Sequence, residues 1–338
     1  MSWPLKGIKV LELARVLAGP WAGQLLSDLG AEVIKVESPE GDETRGWGPP
    51  FVEGKEGPLD SAYFHSCNRG KKSIVIDFKS KEQLDIIYQL VKNSDIIIEN
   101  FKVDGLVKYK LDYQSLSKLN PKLIYCSITG FGQDGPYAKK PGYDFIIQAL
   151  SGIMDLTGEK DKEPQKMGVA FSDIFTGLYS VIAIQSALTV REKTGKGQHI
   201  DMSLMDSMTA VLANQALNYF ISGNSPTRLG NKHPNIVPYQ TFPTNDGFLV
   251  IAVGNNQQFE RLCKALEIND KSFLEEFNTN EKRVANRGKV VDIISEKTKS
   301  FSKKSLKSIL ENCLVPVGVV NKLNEVFSDP QVIKRNLK

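Results

Sequence analysis

Between residues 7 and 129 short apolar runs alternate with polar or amphipathic stretches, and this alternation limits the fold more than any other feature of the chain. The apolar runs are residues 7–13 (GIKVLEL), 31–37 (AEVIKVE), 73–78 (SIVIDF), 95–101 (DIIIENF) and 122–129 (KLIYCSIT). Their brevity and their Val and Ile content read as strands. Helical spacing falls between them at residues 19–29, with Pro20 suited to a first turn, at 82–92 and at 113–119. Apolar strands separated by helices predict the α/β class, with a parallel sheet covered on both faces. Ligands on such sheets sit beyond the C-terminal ends of the strands. Function is therefore expected in the loops 14–19, 36–45, 77–79, 99–105 and 130–144.

Helical patterns follow at residues 145–154, 174–188 and 206–220, with a strand at 199–202 after a glycine-lysine turn at 191–198. Residues 222–243 are polar and contain prolines, and read as a segment that links or wraps. A smaller unit starts at Gly247 with a strand (FLVIAVG) and a helix at 256–266. Two amphipathic helices near 283–297 and 302–311 and a closing strand at 315–319 follow. The expected organisation is a large domain over 1–220, a linker over 221–246 and a small domain over 247–325. Residues 326–338 are set apart from that small domain, and 329–338 end the chain with no closing strand or helix in the pattern.

At 338 residues the chain can bury a large core. Its net charge of +4, without an aromatic-interleaved basic stripe, argues against nucleic acid. The pairs Lys71-Lys72, Lys139-Lys140 and Lys303-Lys304 read as solvated surface, with a phosphate-bearing ligand as the alternative. Cys67, Cys126, Cys263 and Cys313 lie far apart and form no CxxC. Neither a zinc site nor a disulfide frame is expected, and a reducing compartment is. The N-terminus has no basic-then-apolar signal and no segment reads as a membrane span, which predicts a protein of the cytoplasm or a comparable matrix.

No GxGxxG follows the first strand, where the turn is Arg15-Val16-Leu17-Ala18-Gly19-Pro20, so a nicotinamide dinucleotide is not expected. P-loop, HExxH and GxSxG motifs are absent as well. His65, His199 and His233 are scattered, which gives a histidine triad or a metal site little support. Enzyme chemistry is then expected to rest on a carboxylate. Asp173 stands ahead of the nearly uncharged run 174–188 (IFTGLYSVIAIQSAL). Such an aspartate either caps the helix, its anion favoured by the macrodipole, or serves as an accessible low-pKa nucleophile. Gly168 and Gly177 on either side leave room for a bulky group to approach it. Asp144, after Tyr143, is a second acid at a second helix mouth, placed to cluster with the first. Segment 130–144 (GFGQDGPYAKKPGYD) is dense in Gly and Pro and long enough to be functional. Asn100-Phe101 sets a polar head beside a flat ring at a strand end, which suits either an adenine or capping of the next turn.

Together these blocks resemble the family III CoA-transferases, the CaiB–BaiF group, across the chain. The resemblance is carried by residues 17–37, 41–45 (GDETR), 68–73 (NRGKKS), 99–101 (ENF), 130–136, 141–144 (PGYD), 168–177 and 193–198 (KTGKGQ). It implies a Rossmann-like large domain, a smaller α+β domain and a homodimer of interlocked rings. It makes Asp173 the catalytic nucleophile, with Tyr143, Asp144 and Gly254 in support. It places Asn100, Phe101, Ile76 and Lys79 around the CoA nucleotide, Arg15 and Val16 along the pantetheine and acyl path, and Ala18 among the CoA-binding residues. Coenzyme A enters as substrate, and no cofactor, metal or ATP is implied. Arg15 either pairs with the distal carboxylate of a dicarboxylic acyl group or forms an ordinary surface ion pair.

Tyr143 stands where the racemase branch of the family has a histidine, and a phenol of pKa about 10 is a poor base for an α-carbon. Leu17 replaces a glutamine of the formyl-CoA branch, and residues 236–242 (IVPYQTF) replace its glycine-rich flap, which disfavours oxalate and formate. Arg15 and residues 168–170, 236–242 and 254–259 (GNNQQF) look most like the succinyl-CoA:glutarate (hydroxymethylglutarate) CoA-transferases. The expected activity is CoA transfer between carboxylic acids through an aspartyl anhydride and an aspartyl-CoA thioester. The alternatives are an α-methylacyl-CoA racemase and a truncated, non-catalytic CoA-binding protein. The latter is raised because family chains continue beyond the DP motif with a returning segment, whereas this sequence ends at Lys338. Val103-Asp104 also replaces the usual Pro-Gly after ENF, with Gly105 displaced.

Overall fold

The computed structural model describes residues 3–55 and 57–338. They divide into two units, residues 3–157 with 164–226 and residues 158–163 with 227–338. The first unit opens with β1 (Lys9–Glu12), α1 (Ala18–Asp28) and β2 (Glu32–Glu37). A hairpin of β3 (Phe51–Gly54) and β4 (Gly57–Ser61), then α2 (Ala62–Ser66) and β5 (Lys72–Val75), follow. The alternation continues through α3 (Lys81–Lys92), β6 (Ile96–Glu99), α4 (Tyr113–Leu119) and β7 (Ile124–Thr129). The unit ends with α5 (Asp144–Leu150), α6 (Ile153–Leu156), α7 (Phe171–Thr194), β8 (Gln198–Ser203), α8 (Leu204–Ala210) and α9 (Ala213–Ser222).

Six of these strands pair in the order β5-β2-β1-β6-β7-β8, each pair parallel, which is the α/β sheet expected. Val10 of β1 aligns with Val33 on one side and Ile96 on the other. Ile96, Ile97 and Ile98 are fully buried, as a strand covered on both faces requires. The chain winds outward from β1 through β2 to β5, then restarts on the other side of β1 with β6. Winding thus reverses between β1 and β6, and the crevice between their outgoing loops is where an α/β sheet takes a ligand.

The uncharged run at 174–188 is the middle of a 24-residue helix, α7. By length and composition α7 is apolar enough to cross a membrane, with an 18-residue window of mean hydropathy 1.3, against the expectation that no segment qualifies. The uncharged run alone understates the helix. Val181, Ile184 and Leu188 on one face of α7 join Ala18 and Ala22 of α1 and Ile98 and Ile128 of the sheet in one core. Gly177 makes that packing possible, since a Cβ there would lie 2.9 Å from the Ala18 carbonyl oxygen and 3.0 Å from Trp21 Cδ1. This corrects the reading of Gly177 as room for a ligand; only Gly168 faces open space. Gly177→Ala is expected to destabilise the protein by about 1 kcal/mol, the overpacking exceeding the helix-propensity gain of alanine. Urea unfolding measures this, and a stabilised variant would show that the two helices have slack.

Two other helical patterns are split. Residues 145–154 divide at Gly152, whose φ of 87° stops α5 and starts α6, and residues 206–220 divide into α8 and α9. The β3–β4 hairpin, which has no period-two alternation to announce it, was not expected.

In the second unit β9 (Tyr239–Thr244), β10 (Gly247–Ala252) and β11 (Val317–Val319) form an antiparallel sheet in the order β11-β10-β9. Phe242, Leu249 and Ile251 pack with Phe259, Phe273, Ile294 and Leu306 from the helices between β10 and β11. Strand β9 lies in the stretch read as linker, its signal hidden by Pro243. That proline is tolerated because β9 is an edge strand. The tail also departs from expectation, with a short helix at Pro330–Lys334 that Asp329 caps by accepting from Gln331 N–H, with a proline at its start.

Candidate active site

A cavity of about 340 Å³ opens at the winding reversal. Residues 15–18 after β1, 100–103 after β6, 139–144 ahead of α5 and Asp173 of α7 line it. A second cavity, of about 260 Å³, runs past residues 35–43 and 76–79 and shares Arg15, Glu43 and Phe101 with the first. Arg15, Val16, Ala18, Asn100, Phe101, Tyr143, Asp144 and Asp173 therefore meet at one cavity, and Ile76 and Lys79 at its neighbour. Gly254 belongs to the second unit, where its N–H donates to Gln258 Oε1 at 2.7 Å.

Asp173 is not the helix cap. It is half-buried at the third position of α7, and Ala170, which precedes the helix, offers no side-chain acceptor. Asp144 supplies the cap from another helix. Its Oδ1 accepts from Ser172 N–H at 2.9 Å and from the Ser172 hydroxyl at 2.6 Å, and its Oδ2 accepts from Gln148 Nε2 at 2.8 Å. Asp173 is left with burial and a neighbouring anion, and no donor among the described residues offsets them. Burial first, and then repulsion from Asp144, push its carboxyl up to about 7. The expectation of a low-pKa carboxylate is thus corrected, because the donors that would stabilise the anion serve Asp144 instead.

Asn100 braces the loop that follows β1. Its Oδ1 accepts Arg15 N–H at 3.0 Å and its Nδ2 donates to the Arg15 carbonyl at 2.6 Å, tying the end of β6 to the loop after β1. Phe101 lines both cavities and packs with Phe78, ring centroids 6.2 Å apart. Phe101 N–H donates to buried Glu99 Oε2 at 2.8 Å, and burial pushes the Glu99 carboxyl up to about 7. The Arg15 guanidinium forms an exposed ion pair with Glu43 at 2.9 Å. Lys102, Lys139 and Lys140 rim the first cavity, so the second of the lysine pairs borders a ligand-sized space.

Sequence reasoning passed over Tyr63. Ser61 caps short α2 by accepting Phe64 N–H at 3.1 Å, which sets Tyr63 in its first turn. Burial, and next the charge of Asp173, raise the Tyr63 phenol above its ordinary range, which marks it as a neighbour of that carboxylate. Trp47 meets its ring edge-on at 5.2 Å. No motif or period singles out a tyrosine in so short a helix.

A carboxylate without donors, set in a cavity with a basic rim beside a topological switch point, suits an acyl acceptor for a phosphate-bearing thioester. The family model for CoA-transferase family III matches residues 5–338. The chain belongs to CoA-transferase family III. This family III chain is 58% identical to a succinate–glutarate CoA-transferase of Agrobacterium fabrum, over 99% of this chain and 84% of that protein. It is 44% identical to the succinyl-CoA:glutarate CoA-transferase of Homo sapiens, over 99% of this chain and 75% of the human one. Among solved structures, a CaiB/BaiF family protein from Brucella suis matches with a TM-score of 0.90 at 58% identity, over 100% of this chain and 89% of that one.

Proposed function

We propose that this family III CoA-transferase moves CoA between dicarboxylic acids, with succinyl-CoA as donor and glutarate or hydroxymethylglutarate as acceptor, and with Asp173 as the acyl carrier. The observation that carries the reading is the Asp173 carboxylate, which faces the cavity with no donor of its own. The names of the Agrobacterium and human relatives support the dicarboxylate pair.

In this reading ionised Asp173 attacks the thioester carbonyl, the C–S bond breaks and CoA leaves as thiolate, which gives a mixed anhydride. The thiolate attacks the Asp173 acyl carbon, the first carboxylate departs, and an aspartyl-CoA thioester remains. The acceptor carboxylate attacks that thioester, expels the thiolate and forms a second anhydride. The thiolate then takes the acceptor's acyl carbon and frees Asp173. Each step exchanges one activated acyl group for another, so neither metal nor ATP enters. Tyr63, kept protonated by burial and by Asp173, is a hydroxyl donor for the developing oxyanion. Lys102, Lys139 and Lys140 suit the phosphates of CoA, and Arg15, released from Glu43, suits a distal carboxylate bidentately.

The same reading includes a homodimer, which the exposed Leu217, Phe220 and Ile221 of α9 support. The four cysteines are unpaired, which suits a reducing compartment such as the cytoplasm.

The test supplies succinyl-CoA with glutarate, 3-hydroxy-3-methylglutarate, oxalate or carnitine in deuterated buffer. New acyl-CoA is expected with the two longer dicarboxylates, without deuterium at the α-carbon. Deuterium incorporation without exchange would point to racemisation, and no reaction from folded, CoA-binding protein would sink the transferase reading.

A further inference from the structure

Val16 holds a backbone conformation that its side chain disfavours. Its φ is 69°, in the left-handed region, where a β-branched residue is a genuine outlier. The groups around it account for this. Val16 N–H donates to Asp42 Oδ2 at 3.3 Å, and its carbonyl accepts from Cys67 Sγ at 3.5 Å. Asp42 is itself fixed. Thr44 donates to its Oδ1 from N–H at 3.0 Å and from Oγ1 at 2.7 Å, and Lys35 pairs with its Oδ2 at 2.9 Å. Lys35, 1% exposed, also pairs with Glu12 at 3.2 Å and donates to the Ala14 carbonyl at 2.8 Å. Burial opposes the Asp42 anion, yet Lys35 and the Thr44 donors outweigh it and hold its carboxyl below the usual range. The result is a charged, buried scaffold gripping the main chain on both sides of Arg15.

We propose that Asp42 is a positioning residue for acyl-CoA: it locks Val16 in the left-handed conformation and so sets the wall that residues 15–18 present to the first cavity and Arg15 to the second. The proposal rests on the reading of those cavities as the CoA site. Asp42 borders the second cavity but is almost fully buried, and its part in the proposal is exerted through Val16. Strain at such a site persists only where its surroundings over-determine it, and here the Asp42 carboxylate does so.

The test is a cycle of Asp42→Asn, Val16→Gly and the double variant, read by calorimetric titration with CoA and by exchange kinetics. Asp42→Asn is expected to weaken CoA binding about tenfold and to raise KM more than it lowers kcat, since the left-handed region costs a β-branched residue about that factor. Adding Val16→Gly is expected to recover most of that loss, because glycine adopts positive φ without penalty. A loss that persists undiminished in the double variant, or one confined to melting temperature, overturns the proposal. If Asp42→Asn does not fold, Val16→Pro, whose ring forbids positive φ, replaces it. It must then bind CoA at least tenfold more weakly than Val16→Gly, and equal affinities overturn the proposal. Wild type that binds CoA without exchanging it defeats the transferase reading but leaves the binding cycle decisive, whereas wild type that binds no CoA defeats both.

Discussion

Asp173→Ala is expected to abolish CoA exchange, by at least about 10⁴-fold, while leaving CoA binding in place, because in the proposed mechanism it deletes the atom that carries the acyl group. The companion effect is on stability and has the opposite sign. The folded-state pKa of Asp173, about 7, lies above the ordinary carboxylate value. Below pH 4 both folded and unfolded chains hold the proton, and the site's contribution is fully present. As pH rises, the unfolded chain releases its proton first, and the folded chain must bear a half-buried anion beside Asp144 once the pH passes 7. Asp173→Asn removes that penalty, so at pH 8 it is expected to be more stable than wild type by about 2 kcal/mol, solvent access allowed for, and at pH 4 no more stable. Urea unfolding at the two pH values measures the difference. A variant less stable than wild type at pH 8 would mean that the Asp173 anion is well accommodated, contrary to the reading of the site.

The second large effect is on the pH profile. If ionised Asp173 is the nucleophile, kcat/KM for the acyl-CoA rises with pH through about 7, where an ordinary aspartate would give a plateau from pH 5 upward. Glu99 is also held at about 7 and lies under Phe101, so the profile by itself names two candidates. Asp144→Asn separates them. An asparagine keeps an oxygen for Ser172 N–H but removes the negative charge that acts on Asp173. Asp144 is not among the charges acting on Glu99, which feels Asp201. The rise is therefore expected to move to lower pH in Asp144→Asn. A rise that stays at about 7 would assign it to Glu99, and a flat profile from pH 5.5 to 8.5 would remove Asp173 from the ionisation altogether.

The parallel sheet was legible because β6, β7 and their neighbours are short apolar runs that only a sheet covered on both faces can bury. The clustering of residues near Asn100, Tyr143 and Asp173 was legible as well, since loops after parallel strands converge whatever their composition. What escaped was decided by partners distant in sequence. Asp173 looks like a cap until Asp144, 29 residues earlier, is found already bonded to Ser172. Asn100 also braces a loop that nothing near it in sequence announces, since both its polar atoms hold Arg15, 85 positions away. Gly177 looks like open space until α1 is packed on it. Tyr63 and β9 lack a local signal, one in a five-residue helix and the other an edge strand containing a proline. Periodicity reports which face is buried, but not which of two carboxylates receives the available donors.

The grip of Asn100 on the loop after β1 uses main-chain atoms alone, and so does that of Asp42. Loop shape is thereby uncoupled from the identity of the side chain at position 15. The arginine can be exchanged for a shorter, neutral or apolar residue without releasing the backbone that frames both cavities. Position 15, which lines both cavities, is accordingly open to substitutions that leave the architecture of the site in place.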